Sequence, residues 1–447
     1  MPSPLPPPAS SGSCSLSARQ SWAEAEIREF YLFPELLPAS VDASRFSSVQ
    51  GLIDELTAEA RAQGKDRFFT FITSIAEEDA FIDSGETAAF GIRIQSESSP
   101  ARVVVADAFE GAPALAAGID RGTEILAIGI NEATLRDVSA IIASEGTDGI
   151  SAALGPGTPG LQRVLRVRAL DGSVRLVTLT KTVFDIPPVS SRFGVRVIDA
   201  DGTRTGYVNL RTFVGTADPA LRQAFADLRR EGVRQFIIDF RYNGGGLVRI
   251  AELMGDLLGG NRQTSEVFNE ERFRPSKSEF DFTKLFDPTD ESVSPLRLAF
   301  IGTDATASAS ELVINAFTPY FPDASVLVGE NTFGKPVGQI ARDRPICGDR
   351  LRVVAFAGRN AAGQGDYFNG LASEVAATCA AEDDLRFAMG DPREASTARA
   401  LDFLAGRPCA PIIGARTASL SGVSERRRAF VLPETPDVVS REVPGLF

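Results

Sequence analysis

A five-residue run, FIIDF from Phe236 to Phe240, constrains the fold more than any other feature of the chain. It passes straight into Asn-Gly-Gly-Gly, which reads as a short buried strand ended by a turn. Around it, residues 205–210, 235–240 and 296–302 carry strand patterns, and residues 219–231, 249–258 and 311–320 carry helical ones. Such alternation favours a largely parallel sheet with helices packed on it, so residues 190–409 are expected to form an α/β domain.

A chain of 447 residues exceeds what one core usually organises. Residues 1–16, rich in Pro and Ser, read as a disordered leader. Residues 17–80 read as a helical domain: Ser17 is placed to cap a helix carrying Ala23, Ile27, Phe30 and Tyr31 on one face, and Val49, Ile53 and Leu56 repeat the period. From residue 87 to 183 the pattern changes to short strands with two helices and glycines at the corners, a compact β-rich unit. Residues 410–447, including ERRRAF, lose periodicity and read as a polar tail. The expected fold class is therefore multidomain α/β.

Composition removes several function classes. There is no histidine, so Ser-His-Asp and Cys-His catalysis are excluded, as is the usual ligand of catalytic zinc. A hydrolytic nucleophile in this chain needs Lys, a carboxylate or an amine as its base. A net charge of −13 without basic runs opposes nucleic-acid binding. No segment has the apolar length of a membrane span, and MPSPLPPPASSGSC lacks the layout of a secretion signal. Cys14, Cys347, Cys379 and Cys409 lack zinc spacing; they permit disulfides in an oxidising compartment but equally fit buried thiols.

Three clusters carry chemistry. In IDFRYNGGG, Ile238 to Gly246, glycines after a strand leave backbone N–H groups open to a ligand or oxyanion, or form only a tight turn in which Asp239 pairs with Arg241. In TDATASASEL, Thr303 to Leu312, a serine at a strand-to-helix junction suits a nucleophile, although Ser308 or Ser310 could equally be an N-cap. In VGENTFGKPVGQ, Val328 to Gln339, a strand is expected to end in Phe-Gly-Lys. Its lysine acts as a base only if burial beside apolar groups such as Phe333 lowers its pKa; otherwise it is a solvated surface lysine.

In this order the three clusters resemble the carboxyl-terminal processing (tail-specific) proteases of peptidase family S41, whose catalytic domain is ClpP/crotonase-like. The resemblance implies Ser308 as nucleophile, Lys335 as base, Gln339 orienting that lysine, and an oxyanion hole from Gly245, or Gly246, with Ala309. It implies no metal or other cofactor. Residues 87–183 resemble a PDZ domain: Phe90-Gly91-Ile92-Arg93 looks like its carboxylate-binding loop, and Gly111 to Gly129 like its helix, turn and central strand. Such a domain implies protein or peptide partners with free C-termini. The family implies a periplasmic or cell-envelope location, and Cys14, preceded by Ser-Gly-Ser, is a candidate lipid-attachment cysteine. Tyr242 and Gly244 depart from the residues common in the glycine motif. Two rival functions stand beside the protease: an inactive peptide-binding protein of the same fold, which the Ser308, Lys335 and Gln339 set opposes, and a crotonase-type acyl-CoA enzyme, which leaves the PDZ-like unit and the FGK motif unexplained.

Overall fold

The computed structural model describes residues 13–98, 100–200, 202–413, 428–433 and 436–447. Most of the expected leader and the ERR of ERRRAF at 425–427 lie outside them. The strand Gln235–Asp239, the ordered form of FIIDF, lies inside a six-stranded sheet. Across this sheet the order is Val195–Ala200, Thr203–Asn209, Gln235–Asp239, Arg297–Gly302, Ser325–Gly329 and Thr378–Ala380. The first pair is antiparallel and all later pairs are parallel.

Strand alternation explains why this sheet is covered on both sides. Phe236 and Ile238 join Val208, Leu298, Phe300 and Leu327 under the helices Ala217–Arg230, Val248–Leu258 and Ala309–Phe317. Ile237 turns the other way, with Tyr207, Ala299, Val328 and Cys379, under the helix Ala395–Leu404. Each face loses its apolar surface to a helix layer, the condition under which a parallel sheet is stable. The register sets Asn209, Asp239 and Ile301 side by side, so the loops leaving the carboxyl ends of these strands converge. Ligand sites in open α/β sheets form at that edge.

The helical region does not stand by itself. The helix Leu16–Phe30 is capped by Ser15, whose side chain accepts from the Ala18 N–H, two residues earlier than the expected Ser17. With Val49–Leu56 it covers a second sheet, built from Phe71–Ser74, Val267–Phe273, Phe282–Leu285, Val337–Arg344 and Asp349–Arg359. Ile27, Phe30, Ile53 and Leu56 share one core with Val337, Leu351 and Val353. A bond between Cys14 and Cys347 closes this unit across the chain, and Cys379 pairs with Cys409. The sulfur of Cys14 is thereby spent, which corrects its reading as a lipid-attachment site.

The β-rich unit is a seven-stranded sheet with the helices Pro113–Ala116 and Val138–Leu154. It docks on the parallel sheet through buried ion pairs. Arg211 binds Asp107 at 2.9 Å and Glu110 at 2.6 Å, and Arg121 binds Asp383 at 2.6 Å and the Tyr242 hydroxyl at 2.8 Å. Of the expected polar tail, segments within 428–433 and 436–447 are packed instead. Arg428–Phe430 pairs with the strand Ile92–Ser98, and Val438–Glu442 is a short helix.

Candidate active site

Ser308 stands where the strand Arg297–Gly302 has turned into the helix Ala309–Phe317. Its φ of 55° and ψ of −115° are unusual for a side chain bearing Cβ, and such backbone costs on the order of 1–3 kcal/mol. The other non-glycine residues with positive φ among those described, Phe68 and Tyr242, also belong to loops around this site.

The carboxylate of Glu311, one turn into the helix, is the common anchor. Its Oε2 accepts the N–H of Ser308 at 3.0 Å and the N–H of Lys335 at 2.8 Å. Its Oε1 accepts the Thr332 hydroxyl at 2.6 Å and the Gly334 N–H at 2.7 Å. One fully buried side chain therefore fixes the backbone of both the serine and the lysine motifs. Burial pushes its pKa up, and four donors act against that by favouring the ionised form. The role of Glu311 was not read from the sequence, although Ser-x-x-Glu at a helix start is a recognisable signal for a carboxylate that turns back to the cap.

Lys335 lies in the loop before the strand Val337–Arg344, not at the end of a strand as expected; the preceding strand stops at Gly329. The ammonium donates to Gln339 Oε1 at 2.9 Å, and the Gln339 amide donates onward to the Phe69 carbonyl. Burial is the main cause that lowers the Lys335 pKa, and nearby Arg441 acts the same way; Glu442, Asp66 and Glu311 oppose them. The apolar neighbour also differs from expectation. Phe333 is 36% exposed beneath the Arg67 guanidinium, whereas the ring of Phe69, 5% exposed, lies 5.1 Å from Nζ. No periodicity in residues 67–70 announces that contact, because it depends on a chain separation of more than 250 residues.

The glycine turn packs directly on the serine: a Cβ built on Gly245 would fall 2.8 Å from Ser308 Cβ. The Gly245 N–H donates to Asn243 Oδ1 at 3.0 Å, while the Gly244 N–H donates to the Glu442 carbonyl at 2.9 Å. The Ala309 N–H has no acceptor among the hydrogen bonds of the described residues. Asp239 and Arg241 pair in the interior at 2.9 Å and hold the base of the turn, with Glu394 on the far side of the guanidinium.

In the β-rich unit, Gly91 and Ile92 both donate backbone N–H groups to the Phe447 carbonyl, at 3.0 and 3.3 Å. Gly91 has a φ of 80°, and a Cβ there would lie 2.0 Å from that of Ala112, so only glycine fits. The side chains of Phe90 and Arg93 face inward: Phe90 joins the core, and the Arg93 guanidinium lies over the rings of Phe109 and Tyr242. Burial lowers the Arg93 pKa to about 10.

The arrangement holds a serine on a strained junction, a glycine turn against it and a lysine whose backbone is bound by the same carboxylate as the serine's. Residues 204–370 match the model of peptidase family S41. It is 29% identical over 262 residues to carboxyl-terminal-processing peptidase 3 of Arabidopsis thaliana chloroplasts, covering 56% of this chain and 46% of the relative. It is 27% identical to a carboxyl-terminal-processing protease of Picosynechococcus, covering 59% of this chain and 58% of the relative. The chain thus spans about half the length of these curated relatives. A Bacteroides fragilis protein assigned to the S41 proteases has the same fold, with a TM-score of 0.67 at 21% identity over 86% of this chain and 97% of that one.

Proposed function

We propose that the protein is a serine endopeptidase with a Ser308–Lys335 dyad. The observation that carries this reading is the Glu311 carboxylate, which binds the backbone of both residues at 3.0 and 2.8 Å while Gln339 holds the lysine ammonium at 2.9 Å. Neutral Lys335 takes the proton of the Ser308 hydroxyl as Oγ attacks a peptide carbonyl carbon. The tetrahedral oxyanion is met by backbone N–H groups at the start of the helix and on the glycine turn, Ala309 with Gly245, whose N–H Asn243 must release. As the C–N bond breaks, the lysine ammonium returns its proton to the departing amine. Water, deprotonated by the same lysine, then hydrolyses the serine ester.

The unit over residues 87–183 acts as a PDZ-like module that captures substrate tails by adding them to the edge of Ile92–Ser98, with Gly91 and Ile92 N–H groups meeting the terminal carboxylate. Two disulfides support work in an oxidising compartment, the periplasm or cell envelope.

The test is turnover of an unfolded protein by Ser308→Ala and Lys335→Arg variants. Ser308→Ala is expected to fold and to be inactive. Arginine keeps the charge but cannot deprotonate at working pH, so Lys335→Arg should also be inactive from pH 6 to 10. Wild-type turnover by either variant would refute the dyad.

A further inference from the structure

The last residues of this chain lie across both halves of the site. Residues 445–447 run antiparallel to the edge of Ile92–Ser98: Ile94 N–H donates to the Gly445 carbonyl at 2.9 Å and Phe447 N–H to the Ile92 carbonyl at 2.9 Å, with Leu446 bridged to Arg93. The Phe447 side chain is 5% exposed and sits in the core of the β-rich unit with Ile92, Ala114 and Ile150. Going back along the chain, the Glu442 carbonyl accepts from the Gly244 N–H, and a Cβ on Gly244 would collide with the Arg441 carbonyl at 2.2 Å. Glu442 Oε2 is buried without a hydrogen-bond partner, 3.1 Å from the point beside Gly245 that is 2.8 Å from Ser308 Cβ. Backbone contacts of the kind a substrate tail would make are already filled at both ends.

We propose that residues 438–447 are a tethered ligand of this site, a segment that must leave before another can enter. The inference rests on the endopeptidase reading for its activity arm only.

Occupancy has a direct consequence. The segment covers Gly244, fills the edge strand and places a carboxylate beside Lys335. That carboxylate favours the ammonium over the neutral amine which catalysis needs, against Arg441 and burial, which act the other way; Asp66 and Glu311 face the same ammonium and side with Glu442. A competitor must first displace the segment, so its apparent affinity falls by the fraction of chains in which the site is free.

The experiment compares the full chain with Phe447→Asp and with a chain ending at Asp437, each checked for folding by circular dichroism. Two readouts are taken: kcat/KM on an unfolded protein, and calorimetric binding of the synthetic peptide VVSREVPGLF, its C-terminal amide and its Phe-to-Asp form. Both altered chains are expected to bind the free-acid peptide about tenfold or more tighter than the full chain does, to discriminate against the amide and Asp forms, and to gain at least about fivefold in kcat/KM. Added peptide should inhibit the shortened chain. Equal peptide binding by the full and altered chains, or binding indifferent to the last side chain, would overturn the proposal; unchanged or lower kcat/KM in folded, active variants would do so as well. If no chain cleaves substrate, the endopeptidase reading fails, and the binding arm alone decides the ligand. Should the shortened chain not fold, Phe447→Asp carries the comparison.

Discussion

Glu311→Gln is the substitution whose outcome the structure fixes most closely. The change keeps shape and volume but replaces one carboxylate oxygen by an NH2 group. If the amide oxygen takes the Oε1 position, Thr332 and Gly334 keep their acceptor, while Ser308 and Lys335 present their N–H groups to another donor. If the amide is turned over, the Gly334 N–H is orphaned, while the Thr332 hydroxyl can turn to accept from the new NH2. Either way at least one buried donor loses its partner, at about 1–3 kcal/mol each, so roughly 1–6 kcal/mol of stability is lost. At roughly 2–4 °C per kcal/mol for a domain of this size, a loss near the middle of that range lowers the thermal midpoint by about 7–14 °C. Chemistry should suffer more than stability, because the acceptor that holds Ser308 at a φ of 55° is weakened. Displacing a catalytic group by an ångström costs about a hundredfold in rate, so kcat should fall by at least that much at a temperature where the variant is folded. Calorimetry and turnover of an unfolded protein, run on the same preparation at 20 °C and pH 8, measure both. An unchanged midpoint with wild-type kcat would refute the claim that this carboxylate assembles the site.

Two further outcomes follow from groups away from the serine. Burial, reinforced by Glu252, raises the Glu271 pKa to about 7. Between the unfolded value near 4.3 and the folded value the native state holds the extra proton, so stability falls as pH rises through that window. Glu271→Gln should therefore gain up to about 3 kcal/mol at pH 8 and nothing near pH 4, as read from denaturant midpoints; a gain that does not depend on pH would sink the argument. Replacing Cys14 and Cys347 together by serine removes a cross-link between residues 333 apart and should cost about 2–4 kcal/mol, with turnover retained at 20 °C because the bond lies on the second sheet. A double variant as resistant to denaturant as the parent would show that this link does not constrain the unfolded chain.

Much of the fold was legible because it is written in local periods. FIIDF became the strand Gln235–Asp239, and the apolar repeat at Val49, Ile53 and Leu56 became a helix of matching length. The boundaries that moved did so for local reasons too: Ser15 rather than Ser17 supplies the cap. The Phe-Gly-Lys segment forms a loop, because Lys335 and Gly334 spend their N–H groups on Glu311 and have none for a ladder. Lys335 and Gln339, which the family resemblance paired, are joined by a hydrogen bond. Phe333 was a reasonable neighbour by sequence proximity, but the ring against the ammonium is Phe69.

The sequence by itself determined the element order, the absence of histidine chemistry and the three motifs that nominate Ser308, Lys335 and Gln339, since each depends on residues within a few positions of one another. Only the tertiary structure decided which cysteines pair, that Glu311 ties the serine loop to the lysine loop, and that residues 438–447 lie between the glycine turn and the edge of Ile92–Ser98. Those decisions join segments 24 to more than 300 residues apart, and a local period carries no information about such distances. They are set by which buried donors and acceptors can be satisfied together once the sheets have packed.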